Sequence, residues 1–294
     1  MRIFVTGASG WIGSAAVREL LAAGHQVVGL ARSEESAAAV TALGAEVHRG
    51  SLDDLDSLVA GATGADGVLH LGYNHDFSQM EAAAGTDRAA LEAMGGALEP
   101  GGFLLFAAGT MGVNPGSLAT EDDVPAPGGH ARSANAETAH ALIERGIRSV
   151  GLRFAPTVHG EGDHGFIATI VDIARTTGVS AYVGDGSNRW PAVHRLDAGA
   201  LIARAVLDAP AGSMLHVIAE QGIPARTIAE TIGRKLDLPV TSVAAADAAE
   251  HFGWMGMFFS MDAPASNEKT RALLDWNPTH ATLLEDLEAG HYTD

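Results

Sequence analysis

The stretch TGASGWIGSAAVREL, residues 6–20, constrains this chain more than any other part of it. The run RIFVT before it reads as a strand, glycines follow at Gly7, Gly10 and Gly13, and an apolar-periodic helix begins. The glycines permit a tight turn, a close backbone approach to a ligand and close packing of helix on strand. The helix's first N–H groups then face whatever anion sits at the turn. That is the geometry of a pyrophosphate seat, so Thr6, Gly7, Ser9, Gly10, Trp11, Ile12 and Gly13 form the expected dinucleotide-binding set.

The rest of the N-terminal half supports a layered α/β fold. HQVVGLA, GAEVHRG, GVLHLG, GFLLFAAG and IRSVGLRF are further β-like runs bounded by glycine or polar residues. Helix-like segments lie between them at Ser14–Ala23, Glu34–Leu43, Leu52–Ala60, Asp87–Leu98 and Asn135–Arg145. This alternation predicts a Rossmann-type, doubly wound parallel sheet. After about residue 156 the pattern loosens into Gly-, His- and Asp-rich loops, then resumes with Asp197 capping a helix over Ala198–Leu207 and the strand-like SMLHVIA. The expected organisation is a nucleotide-binding domain of residues 1–156 plus about 191–219. A smaller C-terminal substrate-binding lobe takes about 157–190 and 220–294.

Composition narrows the partners. A net charge of −18 and a pI near 5.0 disfavour nucleic acid and anionic membrane, which leaves a small molecule as the expected partner. There is no cysteine, so thiol catalysis, disulfides and thiolate metal sites are excluded and a reducing cytoplasm is the expected setting. MRIFVTGASG reads as strand and turn with no leader, and no apolar run approaches the ~18 residues that span a bilayer.

The second strand bears on which nucleotide binds. A site selecting NAD places an acid about 20 residues beyond the glycine turn, whereas HQVVGLA runs out into Arg32 and Ser33. An arginine pairs with a 2′-phosphate and a serine donates to it, so NADP (NADPH) is the expected cofactor. The alternative is an arginine solvated in a loop.

TGASGWIG, ARS, GSLDD, VLHLG, GLRFAPTVHG and LLDWNP together resemble the extended short-chain dehydrogenase/reductase superfamily, in its atypical epimerase/dehydratase-like group. The resemblance covers nearly the whole chain. It implies a nicotinamide dinucleotide with Ser51 and Leu52 near adenine, Leu71 and Gly72 along pyrophosphate and ribose, and Pro156, Thr157 and Val158 near nicotinamide. Homodimers formed through the fourth and fifth helices are frequent in the superfamily, but Asp87–Leu98 carries no evident interface pattern.

The superfamily's chemistry uses a serine or threonine and a tyrosine followed four residues later by lysine. That dyad is missing here: the glutamate of NAETAHALIERG resembles the one that follows the family's lysine by four, which puts the tyrosine position near Gly129 and the lysine position near Ser133, within GGHARSANAE. The only tyrosines are Tyr73, Tyr182 and Tyr292, the only lysines Lys235 and Lys269, and no pair has the required spacing. Thr110, the hydroxyl in FLLFAAGTMG, resembles the family's serine or threonine, or is simply a threonine at a strand end.

A replacement acid is expected after the fourth strand, where LGYNHDF places Tyr73, His75 and Asp76 at the ligand-binding edge of the sheet. The alternative is that Tyr73 packs on ribose and His75 is solvated. Arg132 is too weak an acid to transfer protons and is expected to position ligand. His164 in VHGEGDHGF, and Trp190 and His194 in NRWPAVHRLD, are expected to contact substrate, with interlobe packing the alternative for Trp190. The histidines and carboxylates of VHGEGDHGF do not have recognised metal spacing, so no metal is expected. HFGWMGMFFSMDAP reads either as a pliable apolar wall for a substrate or as a buried or dimer-forming surface. Three function classes stay open: an NADP(H)-dependent oxidoreductase acting on a small carbonyl or alcohol, a non-redox isomerase or lyase using bound NADP, and a catalytically silent NADP(H)-binding sensor.

Overall fold

The computed structural model describes residues 1–126 and 131–292. A seven-stranded parallel sheet forms the main layer. Its strands are β1 (Arg2–Thr6), β2 (Gln26–Ala31), β3 (Glu46–Arg49), β4 (Gly67–His70), β5 (Phe103–Gly109), β6 (Arg148–Phe154) and, later in the chain, β10 (Met214–Val217). Their order is β10-β6-β5-β4-β1-β2-β3. Strand order reverses at β1, which pairs with both β2 and β4, so a crevice opens beyond the carboxyl ends of β1 and β4.

The strands are apolar on both faces because helices cover both. Ile3 and Val5 of β1 and Phe103 and Leu105 of β5 enter one core with α1 (Trp11–Ala22) and α7 (Arg195–Asp208). Phe4, Leu104 and Phe106, one residue out of step, enter the other core with α3 (Leu55–Ala62), α4 (Met80–Ala97) and α5 (Asn135–Ala141). On the remaining crossover, α2 (Glu34–Ala42) packs Val40 into the first core.

A third core lies in the C-terminal half. It gathers α6 (Phe166–Thr177), β8 (Ser180–Val183), β9 (Arg189–His194), β11 (Glu220–Pro224), α8 (Ala225–Leu236), α9 (Ala248–Phe252), α10 (Met255–Phe259) and α12 (Leu283–Ala289) around Ile167, Ile170, Trp190 and Phe259. A three-stranded sheet of order β11-β9-β7, where β7 is Thr157–His159, and a pair of β8 with β12 (Val240–Val243) complete it. Leu274 and Trp276, in and just after α11 (Glu268–Leu274), pack into the main-sheet core although they fall in the stretch expected to form the smaller lobe.

Several local expectations need correction. The segment expected as loop after residue 156 contains α6, whose Ile167, Ile170, Val171 and Ala174 form a buried stripe at helical spacing. The fourth helix begins at Met80, not Asp87, and the fifth ends at Ala141, continuing as a 3-10 turn over Leu142–Arg145. Asp197 does not cap the seventh helix. His194 does so, accepting from the Leu196 N–H at 3.2 Å, while Asp197 accepts from the N–H groups of Thr279 and His280.

Candidate active site

The glycine turn is shaped by close backbone contacts. Gly7 has φ +69, and a Cβ there would stand 2.7 Å from the Gly72 nitrogen. A Cβ on Gly13 would lie 2.0 Å from the Gly7 carbonyl oxygen, so α1 reaches the strand only without side chains at these positions. The N-terminus of α1 at Gly10 has no side-chain cap and no acid in its first turn, which leaves its N–H groups open to an anion. Leu52 lies against Gly72, since a Cβ on Gly72 would meet it at 3.3 Å. Ser51, Leu71 and Pro156 are half-buried around the same edge, while Thr157 is buried with its hydroxyl unpaired. These features fit a dinucleotide.

The glycine turn and the segment after the sixth strand meet through Trp11. Its indole N–H donates to the Val158 carbonyl at 2.7 Å, His164 packs edge-on against the ring at 5.6 Å, and the Arg195 guanidinium lies 4.0 Å above it. Ser9 and Ile12 are half-buried on the same turn. At the ribose end Arg32 is exposed. Ser33 differs from its expected role: its hydroxyl accepts from Ser36 N–H and caps α2, and Arg49 donates to the Ser33 carbonyl at 3.0 Å.

Tyr73 and Arg132 come together: the guanidinium carbon lies 3.8 Å from the centre of the phenol ring, a cation–π contact. His75 packs edge-on to Tyr73 at 5.3 Å. Burial pushes the Tyr73 phenol above its ordinary value, with Arg132 opposing and Asp87 adding to the rise. Crowding by protein atoms, then the Arg132 charge, push the His75 imidazole down. Thr110 is buried, and its hydroxyl donates to the Phe154 carbonyl at 3.3 Å, which turns it away from the cleft.

Behind Tyr73 and Arg132 lies a buried polar chain that sequence reasoning missed. The Gly72 N–H donates to Thr6 Oγ1 at 3.0 Å, so the Thr6 proton can go to His70 Nδ1, 2.7 Å away. His70 Nε2 then donates to Asp87 Oδ1 at 3.2 Å. Asn135 Nδ2 donates to Asp87 Oδ2 at 2.6 Å, and Arg132 Nη2 stands 3.9 Å from Asp87 Oδ1 while donating to the Ala107 carbonyl at 3.0 Å. Burial opposes the Asp87 charge, but His70, Arg132 and Asn135 outweigh it and hold the carboxyl below the usual carboxylate range. Thr6, His70 and Asp87 have the composition of a nucleophilic triad, yet Thr6 is fully buried and no substrate can reach its hydroxyl. The missed signal was Asp87 on an otherwise apolar stripe of α4, in step with Ala83, Ala84, Ala90, Leu91 and Met94.

The other expected substrate contacts are spread. Trp190 is fully buried, donates its indole N–H to the Met261 carbonyl at 3.2 Å and packs on Phe259, so it belongs to the core, not to the cleft. His194 stacks on His280 at 4.9 Å beside Asp286, and His159 donates from Nδ1 to Asp286 at 2.6 Å. In the 251–264 segment Met255 and Phe259 are buried, while Trp254 and Met257 are exposed. The Gly128–His130 part of the stretch missing the dyad lies outside the described residues. Among the described residues no group of three or more His, Asp or Glu has metal-holding geometry, and no helix is long and apolar enough to cross a membrane.

A parallel sheet with an uncapped helix after a glycine turn at its switch point defines a Rossmann-type dinucleotide-binding protein. The chain belongs to the NAD dependent epimerase/dehydratase family, whose model matches residues 3–217. It is 46% identical over 295 residues to an uncharacterized protein of Schizosaccharomyces pombe, covering 99% of this chain and 100% of that one. A 2-alkyl-3-oxoalkanoate reductase of Stenotrophomonas maltophilia is 29% identical over 202 residues, covering 64% of this chain and 60% of that one. Among solved structures, a double mutant of a dTDP-glucose 4,6-dehydratase from Streptomyces venezuelae, with NAD bound, superposes with TM-score 0.77 at 20% identity, covering 100% of this chain and 98% of that one. That likeness is one of fold.

Proposed function

We propose that this protein is an NADP(H)-dependent oxidoreductase that reduces a small carbonyl compound, with Tyr73 as proton donor and Arg132 as the fixed charge beside it. The observation that carries the reading is the Arg132 guanidinium 3.8 Å from the Tyr73 ring centre, next to the Gly7–Gly72 edge. The relative from Stenotrophomonas maltophilia named as a ketone-bearing acid's reductase supports carbonyl reduction. In this reading residues 1–156 and about 191–219 hold the nucleotide and 157–190 and 220–294 cover the substrate, in a cytoplasmic setting. The glycine turn, Leu52, Leu71, Gly72 and Pro156–Val158 would hold the dinucleotide, and Arg32 would favour a 2′-phosphate. When bound, the reduced nicotinamide supplies hydride.

The residues divide the remaining work by their surroundings. A phenol held above its ordinary value keeps its proton through neutral pH and gives it to an alkoxide, the far stronger base formed at the carbonyl oxygen. His75, pushed down, is mostly neutral at pH 7 and serves poorly as an acid. Arg132 stabilises the phenolate left behind without giving up a proton.

NADPH fluorescence titration followed by a panel of ketones and aldehydes tests the reading. Stoichiometric NADPH loss with one carbonyl supports it. Binding with product formed and no net NADPH loss would instead mark an isomerase or lyase. Binding without turnover of any compound would mark a sensor, the reading that the inward-turned Thr110 hydroxyl favours.

A further inference from the structure

Asp87 is the feature that the proposed chemistry leaves unused. It is 3% exposed and sits on the buried, otherwise apolar stripe of α4. A carboxylate kept ionised in such a place carries a desolvation cost that its partners must offset. Those partners lie in two directions. One runs through His70 Nε2 at 3.2 Å and Thr6 Oγ1 to the Gly72 N–H, at the backbone edge against Gly7. The other runs to Asn135 at 2.6 Å and to Arg132 at 3.9 Å. Asn135 is itself fixed, donating to the Ala84 carbonyl at 2.9 Å and accepting from Arg88 Nε at 3.2 Å.

We propose that Asp87 is the positioning residue of this site: it holds Arg132 over Tyr73 and, through His70 and Thr6, ties that arginine to the strand end under the nucleotide. The proposal rests on Tyr73 being the proton donor. In the absence of a lysine, the cation beside the phenol comes from a longer side chain on a different segment, and a long guanidinium is held from behind by the Asp87 carboxylate as well as by the Ala107 carbonyl. Asp87 supplies that anchor, and Asn135 fixes the carboxylate that does so. Asp87 is buried, and its proposed effect on chemistry passes through Arg132.

The test reads the Tyr73 phenol directly, without a substrate. In the full chain labelled with 3-fluorotyrosine, the Tyr73 signal is assigned by its loss in Tyr73→Phe and titrated by fluorine NMR in wild type, Asp87→Asn, Arg132→Gln and the double variant. A bare negative charge raises a nearby phenol's pKa, so removing Asp87 lowers it if Asp87 acts only through space. If Asp87 holds Arg132, its removal frees the stronger, opposing cation and the phenol titrates higher. The expected result is a rise in Asp87→Asn and in Arg132→Gln, with the double variant no higher than Arg132→Gln alone. A fall in Asp87→Asn, or two rises that add, overturns the proposal. Should Asp87→Asn fail to fold, Asn135→Ala keeps the carboxylate charge and loosens its hold: a smaller rise is expected, and no change overturns the proposal. NADPH consumption is measured separately, so a failed carbonyl panel with the expected titrations condemns the assigned reaction and leaves the positioning intact.

Discussion

Trp11 and Val158, 147 positions apart, are joined by one hydrogen bond of 2.7 Å from the indole N–H to the backbone carbonyl. The bond ties the glycine turn to the segment that the superfamily resemblance places beside nicotinamide. His164 packs edge-on against the same indole and Arg195 lies over its ring, so one side chain joins three segments to the glycine turn.

Trp11→Phe removes that donor while keeping an aromatic ring for His164 and Arg195 to pack on. The Val158 carbonyl is left without its partner, and the loss of a part-buried hydrogen bond costs about 1 kcal/mol. Urea unfolding should show a loss of that order, and fluorescence titration should show weaker NADPH binding. Unchanged affinity alongside the stability loss would separate the tie from the nucleotide site.

Cofactor choice rests on a different residue. With Arg32 exposed where an acid would hold a ribose diol, NADPH should bind at least several-fold more tightly than NADH, and Arg32→Asp should narrow or reverse that preference. Because Ser33 is engaged in capping α2, Ser33→Ala should lower stability by about 1 kcal/mol and leave the preference nearly unchanged. Equal affinity of the native protein for both nucleotides would sink the assignment.

The division of labour at the cleft makes a kinetic prediction. Once a carbonyl substrate is found, Tyr73→Phe should slow single-turnover reduction by about 10²- to 10⁴-fold with NADPH affinity preserved. His75→Ala and Thr110→Ser should change the rate far less, because His75 is neutral near pH 7 and the Thr110 hydroxyl points to Phe154. A rate unaffected by Tyr73→Phe would move the proton donor elsewhere.

The sheet and its glycine turn were readable because each depends on local pattern: apolar runs for strands buried on both faces, and glycines where Cβ atoms would strike Gly72 and Gly7. The location of Tyr73 was readable for a similar reason, since the carboxyl ends of parallel strands all open on one edge. What the sequence did not disclose are pairings between distant segments. Nothing near Asp87 announces His70 or Asn135, and only its place on an apolar stripe hints that it is buried. Asp197 looked like a helix cap because a carboxylate at a helix start usually is one. It serves instead a turn more than 80 positions away, at Thr279 and His280.

The C-terminal segment adds a prediction about pH. The Tyr292 hydroxyl donates to Asp163 Oδ2 at 2.9 Å and accepts from the Gly160 N–H at 3.4 Å, fastening the segment to the loop that carries His164. Burial, then the Asp163 charge, push this phenol well above its ordinary value. In the unfolded chain tyrosine ionises near ~10, so above that pH the folded state holds a proton that the unfolded state has lost. Stability therefore falls as pH rises past ~10, by up to about 1.4 kcal/mol per pH unit from this group alone. Tyr292→Phe should begin less stable at pH 8, having lost both hydrogen bonds, yet decline less steeply between pH 10 and 11. Urea unfolding of both proteins across that range measures the two slopes. Parallel declines would mean that Tyr292 titrates no differently in the folded protein, and that another group governs its alkaline limit.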